Sequence, residues 1–311
     1  MLQTIFIAGI LSIQWKCRLS DRTTVNIVKF VLLFLTIMAE VFVIDRLKEF
    51  VEMMPLSQDT LCKRLSLSRD DFQEYATCLD CHSLFKKSDV IKGQVSVCNF
   101  VQWPQHPHAV KRQPCGATLH SGRSIPPHVV KGTYCYRSIS RYLQNFVIQK
   151  GFLNDCNSWR NRVVREGYMA DVYDGSVWRS EVGGYLTSPY NLYGMINIDW
   201  FQPYKHTQHS IGAIYMVLLN LPRSQRFKEE NIMLLGIMPG PSEPLLSINT
   251  YLRYIVDDLE NLERGIRFAD STEVGYNIYR FRLLACSSDL PATRKLGGFL
   301  SFMANFGMYV I

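Results

Sequence analysis

Apolar positions along the chain follow three different regimes. From residue 191 onward they alternate or run in short blocks. "LYGMINID", "SIGAIYMVLLNL" and "ENIMLLGIMPGP" each read as a strand, the last stopped by Pro239, Gly240 and Pro241. "NTYLRYIVDDLENLERG" changes period. Leu252, Ile255, Val256, Leu259 and Leu262 fall on one helical stripe and Gly265 stands at its end. "YNIYRFRLLACSSD" is a fourth strand. Three consecutive strands with short links predict an antiparallel meander, and the helix then permits a crossover to a parallel strand. The fold class expected is α/β (α+β), with a mixed sheet in residues 191–311.

Upstream, residues 76–190 are rich in Cys, His, Pro, Gly and aromatics, with short periodic stretches such as "SISRYLQNFVIQ". They suggest a small metal-held module and a connecting segment. Residues 1–75 look helical: "VKFVLLFLTIMAEVFVI", then "DRLKEFVEMM", then "SLSRDDFQEYA", where Ser66 or Ser68 offers an N-cap. The uninterrupted apolar core of the first segment, Phe30 to Ala39, lies between Lys29 and Glu40. It falls short of the roughly 18 residues a spanning helix needs. It also starts late and lacks a small-residue cleavage site, so a buried helix is expected, not a signal peptide or membrane anchor.

Composition permits a folded core: 311 residues, 47% hydrophobic and 20% charged. The net charge of +7 is compatible with nucleic acid without pointing to it. Nine cysteines without a secretory signal read as reduced thiols, some holding metal. Cys78 and Cys81 form C-x-x-C, followed by Cys98 and Cys115. A tight turn can aim such a thiolate pair at one Zn²⁺. The second pair lacks that spacing, so four plain thiols remain an alternative, and His82, His106, His108 and His120 are alternative ligands. C-x-x-C-H also matches haem attachment, with nothing else in the chain to support it. Cys17, Cys62, Cys135, Cys156 and Cys286 read as buried thiols.

Two acids follow strands: Asp199 after the first and Asp289 after the fourth. In a meander closed by a parallel crossover strand, the ends of neighbouring strands can bring them together. Two adjacent carboxylates require either a proton or a divalent cation. Carboxylates and water are hard oxygen ligands suited to Mg²⁺ or Mn²⁺, and two such ions can drive phosphodiester cleavage. Each acid could equally cap a turn or helix; "SSDLPATR", with Pro291, suits an N-cap at Asp289.

The segments "NIDWFQPYKHTQHSIGAIYMVLLNLPRSQRFKEENIMLLGIMPGPSEP", "INTYLRYIVDDLENLERGI" and "CSSDLPATRKLGGFL" resemble the transposase of CACTA (En/Spm-type) DNA transposons in its fungal form. The likeness extends to "DVYDGSVW", "CLDCHSLFK" and "HPHAVKRQPCGATL" and covers most of the chain. The resemblance implies an RNase H-like fold of the DDE/D type, here incomplete, and metal-dependent cleavage and transfer of DNA strands. It places Asp199 as the first and Asp289 as the second catalytic, Mg²⁺- or Mn²⁺-binding acid. It favours a structural Zn²⁺ on Cys78, Cys81, Cys98 and Cys115. The third acid of the family lies on a later helix, and residues 290–311 contain no Asp or Glu. The family's later His and Cys positions correspond to Phe302, Met308 and Ile311. A chain inactive by itself is therefore expected, the alternative being a non-catalytic DNA-binding or interaction fragment. Glu243, Asp257 and Asp258 read as loop or exposed helix-face charges.

Lys111, Arg112, Arg294 and Lys295 are the leading DNA-binding candidates, the last two because they follow Asp289. Arg123, Arg160, Arg162 and Arg165 are weaker ones, and Asp171 and Asp174 suit a turn with Gly175. The implied partner is DNA at transposon ends, in the nucleus. Self-association is left open, and no membrane is expected.

Overall fold

The computed structural model describes residues 2–17, 19–57, 60–61, 72–102, 112–122, 125–163, 167–244, 248–269 and 275–297. The chain separates into two compact units, Met1–Asp71 and Phe72–Ile311.

The first unit holds helices α1 (Leu2–Lys16), α2 (Asp21–Val41) and α3 (Asp45–Glu52). Ser20 starts α2 by accepting the Thr23 N–H at 3.1 Å, as an N-cap serine should. Ile7, Val28, Leu32, Met54 and Leu61 form its small core. The expectation of a buried apolar helix is corrected here. Only Thr24, Val28, Leu32 and Ala39 of α2 are buried, while Phe30, Leu33, Phe34, Ile37 and Val41 are exposed. A helix apolar on nearly every side cannot bury all of them against so few neighbours. Helix α2 is also long and apolar enough to cross a membrane by length and composition, a property that core helices share. Ser66 and Ser68 lie outside the described residues. The end of their expected helix is instead strand, from Gln73 onward.

The second unit is built on one eight-stranded sheet in the order β2-β1-β5-β8-β7-β6-β10-β9. Its strands are β1 (Gln73–Thr77), β2 (Leu84–Lys86), β5 (Thr133–Tyr136), β6 (Asn191–Phe201), β7 (Ile211–Leu218), β8 (Met233–Met238), β9 (Ile266–Ala269) and β10 (Tyr276–Cys286). A separate two-stranded ribbon joins β3 (His120–Ser121) to β4 (Val129–Val130). The meander β6-β7-β8 is antiparallel, and β10 returns parallel to β6, with Phe281 opposite Leu192 and Cys286 opposite Ile196. The expected strand order is therefore present. Two features were not foreseen: β9 pairs antiparallel with β10 at the edge, and β1, β2 and β5 of the cysteine-bearing region continue the same sheet.

Side-chain alternation fixes these strands. Leu192, Ile196 and Ile198 of β6 are buried on one face, while Asn197 and Asp199 point to the other. Gly194 is required where β6 meets β10, because a Cβ there would stand 2.2 Å from Cζ of Phe281. The helices of this unit are α4 (Lys87–Ile91), α5 (Ile139–Val147), α6 (Phe152–Asn157), α7 (Ser176–Val182), α8 (Arg223–Arg226), α9 (Ile248–Arg264) and α10 (Leu290–Gly297). The main core joins α5, α6 and α9 to the Ile196–Ile198 face of the sheet. Helix α9 ends at Gly265, whose φ of 103° suits a residue without Cβ. Its buried stripe is Ile248, Tyr251, Ile255 and Leu262, so Tyr251 takes the place expected of Val256, which is exposed.

Candidate functional site

Two constellations carry chemistry. In the first, the Sγ atoms of Cys78, Cys81, Cys98 and Cys115 all lie within 4.8 Å of one another. Cys78 and Cys81 occupy the turn between β1 and β2, closed by Cys78 N–H to Ser83 C=O at 3.0 Å and His82 N–H to Cys78 C=O at 2.9 Å. Cys98 and Cys115 lie on two segments bonded to each other: Cys115 N–H reaches Phe100 C=O at 2.8 Å and Gly116 N–H reaches Cys98 C=O at 2.9 Å. Tertiary pairing thus supplies the second thiol pair that sequence spacing could not.

These four thiols fit a tetrahedral cation. Cys81 and Cys98 Sγ are 3.5 Å apart and Cys78 and Cys115 Sγ are 3.7 Å apart. Zn–S bonds of about 2.3 Å place sulfurs at tetrahedral corners about 3.8 Å from one another. Backbone N–H groups of Asp80 and Cys81 face the Cys78 sulfur, that of Ser83 faces Cys81, and that of Phe100 faces Cys98. Such donors favour thiolate over thiol. Against them, burial pushes Cys78 up to about 11 and raises Cys98 as well. Cys81 is half-buried, and the desolvation that raises it is outweighed by the hydroxyl and N–H of Ser83, which bring it below the ordinary thiol value. A bound cation tips the balance to thiolate. Four protein ligands leave no open position, which is the pattern of a structural centre.

The histidines are placed elsewhere or are not described. His82 turns its ring to helix α9, with Nδ1 3.0 Å from Oη of Tyr251. His120 stacks on His128 with centroids 3.8 Å apart. His106 and His108 lie outside the described residues. Among the other cysteines, Cys156 is buried and Cys135 half-buried, but Cys17 and Cys286 are exposed, contrary to expectation; Cys62 is outside the described residues. Exposure follows from position, since Cys17 leaves α1 and Cys286 ends β10.

The second constellation lies where β10 ends beside β6; β6 itself continues to Phe201, so Asp199 stands within the strand, opposite Ala213 of β7, and not after it as expected. Beyond the Cys286–Ile196 pair, Ser287 N–H reaches Ile196 C=O at 2.8 Å, Asn197 donates Nδ2 to Ser287 C=O, and Ile198 N–H reaches Oγ of Ser288 at 3.2 Å. Asp199 and Asp289 are the next residues on the two chains, and both are exposed. Each uses Oδ1 locally. Asp199 accepts the Trp200 N–H at 2.9 Å, and Asp289 caps α10 through the Ala292 N–H at 2.8 Å. The cap read from "SSDLPATR" is therefore present. It does not consume the acid, because a carboxylate has further acceptor capacity on Oδ2.

Lys295, on α10, is ion-paired with Glu243 and lies 4.4 Å from the centre of the Trp200 ring. Glu243 also accepts from Ser210 at 3.2 Å. Arg294 precedes Lys295 on the same half-buried turn. Arg112 donates to Gln102 C=O at 2.9 Å. Lys111, Arg123, Arg165, Phe302, Met308 and Ile311 lie outside the described residues. Arg160 is held by the carbonyls of Leu186 and Ser188.

Asp258, expected as a loop or helix-face charge, and the turn residues Asp171 and Asp174 all make structural bonds. Asp258 accepts from Tyr136 Oη at 2.6 Å and from the first N–H of α5, Ile139, at 2.8 Å. Asp171 caps the turn at Val172 and meets buried Arg226 through two bonds of 2.9 and 3.1 Å. Asp174 accepts the Ala170 and Asp171 N–H groups and pairs with Arg162, whose guanidinium first, and those N–H groups next, hold its carboxyl below the usual range. The turn before Gly175 is thus also a double ion-pair anchor. The Asp171–Arg226 contact joins residues 55 apart in sequence, which no local pattern announces.

Residues 167–307 match the transposase family tnp2. The matched span contains β6 to β10 with both acids; the cysteine cluster lies before it. No curated protein matches the chain.

Proposed function

We propose that the protein is a transposase-like DNA-processing protein of the CACTA (En/Spm) type, acting in the nucleus on the ends of its own element. The observation that carries this reading is the pairing of a tnp2 match with two acids beside the point where β10 ends against β6. Asp199 and Asp289 each stand one residue beyond the Ile198–Ser288 bond that ties the ends of β6 and β10 together. The meander, crossover helix and parallel strand are the order an RNase H-like nuclease requires.

In this reading Asp199 and Asp289 hold Mg²⁺ or Mn²⁺ at the strand end. Each carboxylate is pre-set by an N–H bond to Oδ1, which removes rotational freedom before an ion arrives. Bound metal would supply Lewis-acid stabilisation of a phosphodiester and activation of a hydroxyl nucleophile. The α10 N-terminus adds positive potential where phosphate charge would sit. Zn²⁺ on Cys78, Cys81, Cys98 and Cys115 would brace the far edge of the sheet. Residues 290–311 carry no Asp or Glu, so a third acid is not among them. The second reading is a DNA-binding subunit that does not cut alone.

The test is nicking of a duplex carrying the element's terminal repeats, with Mg²⁺ or Mn²⁺, by wild type, Asp199→Asn and Asp289→Asn. Asparagine keeps the N-cap at 289 and removes the charge, so folding and chemistry separate. Nicking lost in both variants supports cleavage. Retained binding without nicking in wild type supports the second reading. Absence of both metal-dependent nicking and DNA binding refutes the proposal.

A further inference from the structure

Next to the paired acids, the face of the sheet that carries Asp199 contains a cavity of about 300 Å³. Its walls are Met195, Tyr215, Val217 and Phe227, with Asn197 and Ser287 at the polar edge. Met195, Asn197 and Asp199 are alternate residues of β6 and share one face. Ser287 is two residues before Asp289. Neither acid lines the cavity, but Asn197 and Ser287 at its edge each stand two residues before one of them, and about 7 Å of strand separates Asn197 from Asp199. Sugar and phosphate of one nucleotide span such a gap.

We propose that this cavity receives one unpaired nucleobase of the DNA whose backbone passes the acids. This deepens the DNA-processing reading and rests on it. Three observations select a base over other ligands. The cavity is at the small end of the range for small-molecule sites, about 300–1,000 Å³, which suits one planar ring system. Its walls pair two aromatic rings with aliphatic and thioether groups, the surface on which bases stack without regard to sequence. Its polar edge is an amide whose Nδ2 is already committed to Ser287 C=O, so the amide plane is fixed and Oδ1 is the atom it offers to an exocyclic amine. Extruding a base from a duplex costs a few kcal/mol, so an already unpaired base is the favoured occupant.

The experiment uses the full chain in Ca²⁺, which supports binding without cleavage, and a forked duplex whose first unpaired nucleotide is thymidine, an abasic residue or 5-iodouridine. The wild-type protein should bind the abasic fork roughly fivefold or more weakly than the thymidine fork. Phe227→Ala and Tyr215→Ser should bind both forks equally. Phe227 is largely exposed, so its removal leaves the core intact and guards against a folding artefact. Irradiation of the iodinated fork should cross-link the peptide bearing Tyr215 or Phe227. Equal affinity for both forks in wild type, or cross-links confined to other peptides, overturns the base pocket while leaving DNA binding intact. A change in oligomeric mass on Phe227→Ala with no difference between forks would assign the cavity to a second protein copy and also overturn it. Failure to bind any fork removes the DNA-processing reading and the pocket together.

Discussion

Replacing Tyr251 by phenylalanine removes one oxygen atom and tests whether the cysteine cluster and the crossover helix are mechanically joined. His82 immediately follows the ligand candidate Cys81, is buried, and adopts a φ of 61°, unusual for a residue with a side chain. Burial lowers its pKa, with Asp80 opposing, so its ring is neutral at pH 7. Its Nδ1 meets Tyr251 Oη at 3.0 Å inside the core, and Tyr251 C=O accepts from Tyr134 Oη at 3.0 Å. Tyr251→Phe leaves the ring packing and strands a buried imidazole nitrogen. A buried group left unsatisfied costs about 1–3 kcal/mol. In a unit of this size each kcal/mol moves Tm by about 2–4 °C, so a loss of roughly 2–12 °C is expected. The loss should depend on metal, since a cation on the four sulfurs holds the turn that presents His82. Thermal unfolding of wild type and Tyr251→Phe is measured with one equivalent of Zn²⁺ and again after chelation. The difference should be full with Zn²⁺ and shrink to within about 0.5 kcal/mol without it. Tyr142→Phe is the control: it breaks a 2.9 Å bond to Leu234 C=O on β8 and should cost the same in both states. An equal Tyr251→Phe loss with and without metal would refute the coupling, because the polypeptide alone would then hold the turn.

Other outcomes follow from the same geometry. Cys98→Ser should abolish stoichiometric Zn²⁺, read by elemental analysis, because three sulfurs cannot close the tetrahedron. Arg226→Met should cost roughly 3–5 kcal/mol in denaturant unfolding, since it leaves the Asp171 carboxylate without its counter-ion in a nearly closed site. Asp174 has a folded-state pKa below its unfolded value of about 3.9, so its contribution is present above that pH and is lost as pH falls through the folded value. A Tm series from neutral to acid pH should show an acid-side decline that Asp174→Asn flattens. Gly194→Ala puts a methyl against the Phe281 ring and should destabilise by about 1–3 kcal/mol, seen as a lower urea midpoint with unchanged slope.

Legibility varied along the chain for physical reasons. Strands β6, β7, β8 and β10 and helix α9 were readable because each has an apolar period set by the face it buries, with Pro239, Gly240, Pro241 and Gly265 marking the stops. Strand β9 was missed because four residues hold too little pattern, and its partner β10 supplies the pairing. The segment from Gln73 was read as helix; pairing with β5, Tyr75 opposite Tyr134, decides otherwise. The apolar content of α2 predicts burial, but content does not say how many neighbours exist to cover it, and Phe30, Leu33 and Phe34 stay exposed.

Local repetition alone sufficed for strand and helix periods, the C-x-x-C turn and the Asp289 cap before Pro291; it set the end of β6 too early, since pairing with β7 carries that strand past Asp199 to Phe201. Tertiary structure decided what depends on distant meetings. It brought Cys98 and Cys115 to Cys78 and Cys81, set His82 against Tyr251, gave Asp171 and Asp174 to Arg226 and Arg162, and placed Asp199 and Asp289 at one sheet end. The division is physical: a period needs only neighbours along the chain, whereas a site needs the sheet order that assigns neighbours in space.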